Sequence, residues 1–152
     1  ETQKMSETIR TQIGQLMDEA FFYADVVATS REEILQQMGS RLEVAGIVNE
    51  DFLPSVLKRE SLSSTDFDYS IAIPHPLHPS SKRSMISIAV LREPIQWNHF
   101  PVKLVILLAL KEEDMEFMQL FLRWLGKQLD SPDKMMCLLE AKNVESFIQA
   151  IR

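Results

Sequence analysis

The chain is 152 residues long, 45% hydrophobic and 25% charged, which fits one folded domain with its own core and excludes a disordered segment. Lys and Arg total 16 against 22 Asp and Glu, for a net charge of −6, and the densest basic patch is only Lys82-Arg83, so direct contact with nucleic acid is not expected. The one cysteine, Cys137, excludes a disulfide framework and a Cys-based zinc cluster and suits a reducing cytoplasm, and the longest apolar run, residues 104–110, is too short to span a bilayer.

The chain opens on Glu1 rather than Met, which leads us to expect a piece of a larger protein. Residues 1–20 are expected to be a lead-in or linker. Ile9, Ile13, Leu16, Met17 and Ala20 give its part from residue 6 one apolar face at helical spacing. "FFYADVVAT" (21–29) reads as a short strand. In "SREE" (30–33) Ser30 can cap a helix while Glu33 reaches back to it. Ile34, Leu35, Met38, Leu42 and Ala45 form the stripe behind that cap, and Gly46 is the stop.

A second helix is expected from Asn49 or Asp51 to Arg59-Glu60, with Pro54 in its first turn and Phe52, Leu53, Val56 and Leu57 buried. "SLSSTD" (61–66) reads as a polar connection. Three near-continuous apolar runs follow at 70–73, 85–91 and 102–110, the pattern of strands covered on both faces. The turn-rich link at 92–101 can close a hairpin between the last two. A strongly apolar helix is expected over 114–129, with Phe117, Phe121, Trp124 and Leu125 on one face and Met118, Leu122 and Leu129 widening it. "DSPD" (130–133) breaks it, and Asn143 can cap a last helix through Val144, Phe147, Ile148 and Ile151. Strands enclosed by helices on both sides give a three-layer α/β/α domain.

The chemistry concentrates in "IAIPHPLHP" (71–79), which holds two of the three histidines and three of the seven prolines. Ligand sites of open α/β sheets lie beyond the carboxyl ends of strands, and His75 stands just after one. Pro74 and Pro76 leave its backbone few conformations, so the imidazole is presented as a reacting group needs to be. Neutral imidazole is nucleophilic near pH 7. On the loop alone, a solvated turn residue is the more frequent role of such a histidine. A metal site is not expected: only His99 could join His75 and His78, an extended loop does not converge two side chains, and Asp66 and Asp68 precede the strand. Ser80, Ser81 and Ser84 lack a nucleophile-elbow motif, and four glycines in all supply no phosphate-binding Gly-rich loop. No cofactor is expected.

The run from Ser30 to Pro76, "SREEILQQMGSRLEVAGIVNEDFLPSVLKRESLSSTDFDYSIAIPHP", resembles the fructose/mannitol-type enzyme IIA domain of the bacterial phosphoenolpyruvate-dependent sugar phosphotransferase system. The matching features come in order: the capped helix ending at Gly46, "VLKRE" (56–60), the Ser-Thr pair at 64–65, "IAIPH" (71–75), "VLREPIQWN" (90–98) and the strand after it. The likeness covers residues 21–152. It implies a small mixed β-sheet between helix layers. It implies that His75 accepts a phosphoryl group from the carrier protein HPr, that Arg59 stabilises the phosphate, and that an enzyme IIB domain can be the next acceptor. Without the likeness, Arg59 with Glu60 would be a surface ion pair at a helix end.

Two departures stand out. The family usually has Gly after the active histidine, where this chain has Pro76, and many transport members carry a second histidine on the helix after the last strand. "KEEDMEFMQLF" (111–121) offers Met115 or Met118 there, with acidic residues whose charge would repel a phosphohistidine. Enzyme IIA-like domains of transcription regulators, antiterminators and operon activators are similar in both respects. The resemblance therefore implies a phosphorylated sensor domain within a larger regulator. The alternatives are a transport phosphocarrier, which would make it a phosphotransferase component, and an interaction module that is not phosphorylated. His78 and His99 read as turn residues, Trp97 and Trp124 as packing, "KMMCLL" (134–139) as adaptable core, and Cys137 as a buried thiol.

Overall fold

The computed structural model describes residues 2–67 and 70–151. Helix α1 runs over Thr2–Leu16 and buries Ile9 and Ile13 in the core cluster on one side of the sheet. It starts earlier than its periodicity suggests, and it ends earlier because Asp18 accepts the amide of Ala20 at 2.8 Å and opens a 3-10 turn over Glu19–Phe21. Strand β1 then occupies Phe22–Val26, shorter than the apolar run, and Asp25 within it has φ +55°.

Helix α2 (Arg31–Val44) begins where Ser30 accepts the Glu33 amide at 3.1 Å. Glu33 reaches back one residue further than expected: its carboxylate accepts the amide of Thr29 at 2.6 Å and the Thr29 hydroxyl at 3.2 Å. Ile34, Leu35, Met38 and Leu42 are buried, but Ala45 is the exposed C-cap, and Gly46 at φ +78° ends the helix in the left-handed region. Gly39 lets the next helix close in, since a Cβ there would stand 3.2 Å from Leu53 Cδ1. That helix, α3, spans Phe52–Leu62, a half turn beyond the expected end, and buries Phe52, Val56 and Glu60.

The remaining strands are β2 (Asp66–Phe67), β3 (Ile71–Ala72), β4 (Met85–Gln96) and β5 (Pro101–Ala109). Strand β4 absorbs half of the link expected to be turn, leaving Trp97–Phe100 to close the hairpin. The sheet order is β1-β4-β5-β3-β2; β1 lies parallel to β4 and β3 parallel to β5, and the other two pairings are antiparallel. After a short 3-10 turn at Glu112–Asp114 come α4 (Met115–Gln128), α5 (Pro132–Leu139) and α6 (Val144–Ala150). Asn143 caps α6 as expected, accepting the Ser146 amide at 2.7 Å.

Side-chain alternation divides the two long strands between two cores. Ile86, Ile88 and Val90 of β4 with Leu104, Ile106 and Leu108 of β5 face α1, α4, α5 and α6. Met85, Ala89 and Leu91 with Val105, Leu107 and Ala109 face α2 and α3. This is the mixed-sheet, three-layer α/β/α arrangement, and it explains why the strands read as continuously apolar.

The segment expected to be a plain polar connection also binds the hairpin. Ser64 donates its hydroxyl to Asp66 at 2.6 Å, and the amides of Asn98, His99 and Phe100 donate to the other carboxylate oxygen at 3.2, 2.7 and 2.9 Å. Burial alone would raise the Asp66 pKa, but the Ser64 hydroxyl and the Phe100 and His99 amides together outweigh it and hold the carboxyl below its ordinary value. A lowered folded-state pKa stabilises above the unfolded pKa, and that contribution disappears as pH falls through the folded value. Asp66→Asn is therefore expected to cost about 1.5 kcal/mol at neutral pH, a gap that closes below about pH 4 in urea unfolding curves. A pH-independent gap would mean that ionisation of Asp66 does not contribute to stability.

Candidate functional site

The loop after β3 is held from both sides. Ile73 donates its amide to the Thr65 carbonyl at 3.2 Å, and the Pro74 carbonyl accepts the Leu108 amide at 3.0 Å. Because β3 and β5 run parallel, the loop leaves beside the carboxyl end of β5, near Leu108 and Leu110. Beyond His75, the Leu77 amide donates to the Ser55 hydroxyl on α3 at 2.8 Å. The Ser81 amide donates to the Leu110 carbonyl at 3.3 Å, and the Lys82 amide to the Ile47 carbonyl at 2.9 Å. Pro76 is buried, so the proline that removes an N–H beside His75 also wedges the loop against the body of the domain.

His75 is half-buried, and its Nδ1 lies 3.0 Å from the carbonyl oxygen of Ile73. A carbonyl can only accept, so Nδ1 carries the hydrogen, and in the neutral ring the lone pair lies on Nε2. The imidazole lines a cavity of about 280 Å³ shared with Arg59. Leu108, Leu110, Met118 and Leu122 give it apolar walls, and Gln119 stands at its rim. Arg59 projects from the last turns of α3, half-buried, and Nη1 donates to the Ser63 carbonyl, which keeps the guanidinium close to the helix end. The sequence-predicted pair, His75 and Arg59, is thus brought together in one recess.

Arg59 and Glu60 do not form the surface ion pair that a helix-end Arg-Glu suggests. Glu60 points inward, 4% exposed. Its oxygens accept the Thr65 amide at 2.7 Å, the Thr65 hydroxyl at 2.8 Å and the Trp97 indole N–H at 2.9 Å. The neighbour of the guanidinium is therefore an internal anchor, which sequence reasoning missed along with Ser55. The Ser-Thr pair at 64–65 was the available signal: Thr65 binds Glu60, and Ser64 binds Asp66.

Met115 and Met118 both line the cavity. Of the acidic residues beside them, Asp114 accepts the Ser84 hydroxyl and Glu113 pairs with Lys111 at 3.2 Å. None of Glu112, Glu113, Asp114 and Glu116 lines the His75 recess. His78 is exposed, and His99 is exposed on the β4–β5 turn. Asp68 lies outside the described residues. Among the described residues no three His, Cys, Asp or Glu side chains group as metal ligands. Cys137 is exposed, not buried: Met135 and Leu138 occupy the inward positions of α5, and Cys137 falls on the opposite side with Met136. Trp97 and Trp124 are buried, as packing residues should be. No helix among the described residues is long and apolar enough to cross a membrane.

Comparison with known proteins bears on this geometry. The chain is 33% identical over 127 residues to a probable licABCH operon regulator of Bacillus subtilis (strain 168), covering 84% of this chain and 20% of that protein. It is 32% identical over 121 residues to the transcriptional regulator ManR of the same organism, covering 80% of this chain and 19% of ManR. The chain therefore spans about a fifth of the length of these relatives. Its fold is similar to the crystal structure of the nitrogen regulatory protein IIA-Ntr from Neisseria meningitidis, with a TM-score of 0.81 at 21% identity over 93% of this chain and 99% of that one. Residues 15–152 match the family described as "Phosphoenolpyruvate-dependent sugar phosphotransferase system, EIIA 2", and with nearly the whole chain matched, this protein belongs to that family.

Proposed function

We propose that this chain is a phosphoryl-accepting sensor domain of a sugar-operon transcription regulator, phosphorylated on His75 by HPr in the cytoplasm. One observation carries the reading: the Ile73 carbonyl holds the proton on Nδ1 and leaves Nε2 as the nucleophile, in a recess that also contains Arg59. In the transfer, the Nε2 lone pair forms the new N–P bond as the donor's N–P bond breaks in line. Nδ1 keeps its hydrogen bond to Ile73 throughout, so the positive charge that develops on the ring is directed at a carbonyl dipole. The guanidinium of Arg59, planar and forked, suits the equatorial phosphoryl oxygens. The operon regulators among its relatives support the signalling half of the reading, and the remaining length of those proteins leaves room for the domains that would read the signal.

The test is incubation with phosphoenolpyruvate, enzyme I and HPr, followed by intact-mass analysis and peptide mapping. One acid-labile phosphoryl group on His75 is expected. An unmodified chain, or a phosphoryl group on another residue, refutes the proposal. Rapid sugar-dependent discharge to an enzyme IIB domain refutes the signalling half alone. Arg59→Ala is expected to slow the phosphorylation of His75 about 100-fold, the usual cost of removing one donor from a preorganised anion site. Arg59→Lys recovers only part of that loss, because an ammonium lacks the planar fork. Single-turnover phosphorylation kinetics check both.

A further inference from the structure

We infer that Ser55 is a positioning residue for the phosphorylation of His75, an inference that rests on the acceptor role just proposed. Pro74 and Pro76 have no N–H to donate, so the first backbone donor after His75 beyond Pro76 is that of Leu77. That donor is taken by the hydroxyl of Ser55, at 2.8 Å and 22 residues away in sequence. A serine inside a helix ordinarily turns its hydroxyl to its own backbone. Here its oxygen accepts from another element instead.

The placement of Ser55 on α3 gives the bond its meaning. Arg59 follows four residues later, so the two side chains share a face and stand about 6 Å apart along the helix axis. One stiff element therefore carries both the hydroxyl that ties down the acceptor loop and the guanidinium proposed to meet the phosphoryl group. Helix α3 is itself fixed at its far end, where Glu60 is bound to Thr65 and Trp97. Ser55 thereby sets the distance between His75 and Arg59. Leu77 is 40% exposed, and water can replace the hydroxyl as acceptor once the loop is released. Losing the bond costs little stability and loosens the loop, which separates this role from a merely structural one.

The experiment compares Ser55→Ala and Ser55→Thr with the parent chain, using phospho-HPr as the varied substrate and amide hydrogen exchange at Leu77 as a second readout. In Ser55→Ala the maximal phosphorylation rate is expected to fall about tenfold with KM changed less than twofold, as misplaced reacting groups require. Leu77 exchange accelerates in the same variant. Ser55→Thr keeps the hydroxyl and restores both. A Ser55→Ala chain that is phosphorylated at the parent's rate overturns the inference, as does a loss confined to KM. A Ser55→Thr chain that protects Leu77 yet stays slow overturns it too. If the parent itself accepts no phosphoryl group on His75, the acceptor reading fails first; unchanged Leu77 exchange alongside normal phosphorylation of the parent removes Ser55 alone.

Discussion

His75→Ala is expected to abolish phosphorylation while leaving the domain folded, with a melting temperature within about 3 °C of the parent. The chemical half of this outcome follows from the proposed role: the Nε2 lone pair is the nucleophile proposed there, and no second histidine lines the cavity to take its place. The structural half follows from how the loop is held. Pro74 and Pro76 restrain the backbone on either side of the ring, and the Thr65, Leu108 and Ser55 bonds are made by other residues. The variant loses one hydrogen bond, Nδ1 to Ile73, from a half-buried side chain. That is worth about 1 kcal/mol, which in a domain of this size moves the melting temperature by roughly 3 °C. Intact-mass analysis and thermal unfolding on the same sample decide it. A phosphoryl group that survives the substitution removes His75 from the mechanism. A fall in melting temperature three times larger makes the ring part of the core and its nucleophilic role untenable.

What the sequence revealed and what it hid divide along a physical line. Ser30 and Asn143 were legible as caps because a cap is read within three or four residues. The restraint on the His75 backbone was legible because its two prolines are its immediate neighbours, while its proposed acceptor role came from the family likeness. The strands at 85–91 and 102–110 were legible as covered on both faces, and the two cores bear that out. Bonds between elements were not legible. Ser55 meets Leu77 across 22 residues and Glu60 meets Trp97 across 37, and no local pattern marks either pairing. The error at Cys137 is of another kind. "KMMCLL" reads as one apolar block, yet a short helix buries only the positions in phase with Met135 and Leu138. The family likeness supplied Arg59; composition alone would have left it in a surface ion pair with Glu60.

Glu60 is where stability and function converge, and Glu60→Ala is expected to cost about 4 kcal/mol. The side chain is 4% exposed and receives three donors, two of which, the Thr65 amide and the Trp97 indole, would be left buried without an acceptor. Each orphaned group costs about 1–3 kcal/mol, and the vacated volume adds to the sum. Set against the roughly 5–15 kcal/mol that holds a domain together, this is a large share of the total. Glu60→Gln retains one acceptor oxygen and the shape of the side chain, so about half that loss is expected. The function follows, because Glu60 fixes the last turn of α3 and its chain neighbour Arg59 must reach the His75 recess from that turn. In Glu60→Gln, still folded at low temperature, the phosphorylation of His75 is expected to slow more than tenfold at unchanged HPr affinity. Urea unfolding followed by Trp97 and Trp124 fluorescence measures the first effect, and single-turnover phosphorylation the second. A Glu60→Ala loss below about 1 kcal/mol would mean that water satisfies the Thr65 and Trp97 donors; α3 would then have to owe its position to Phe52 and Val56 packing alone.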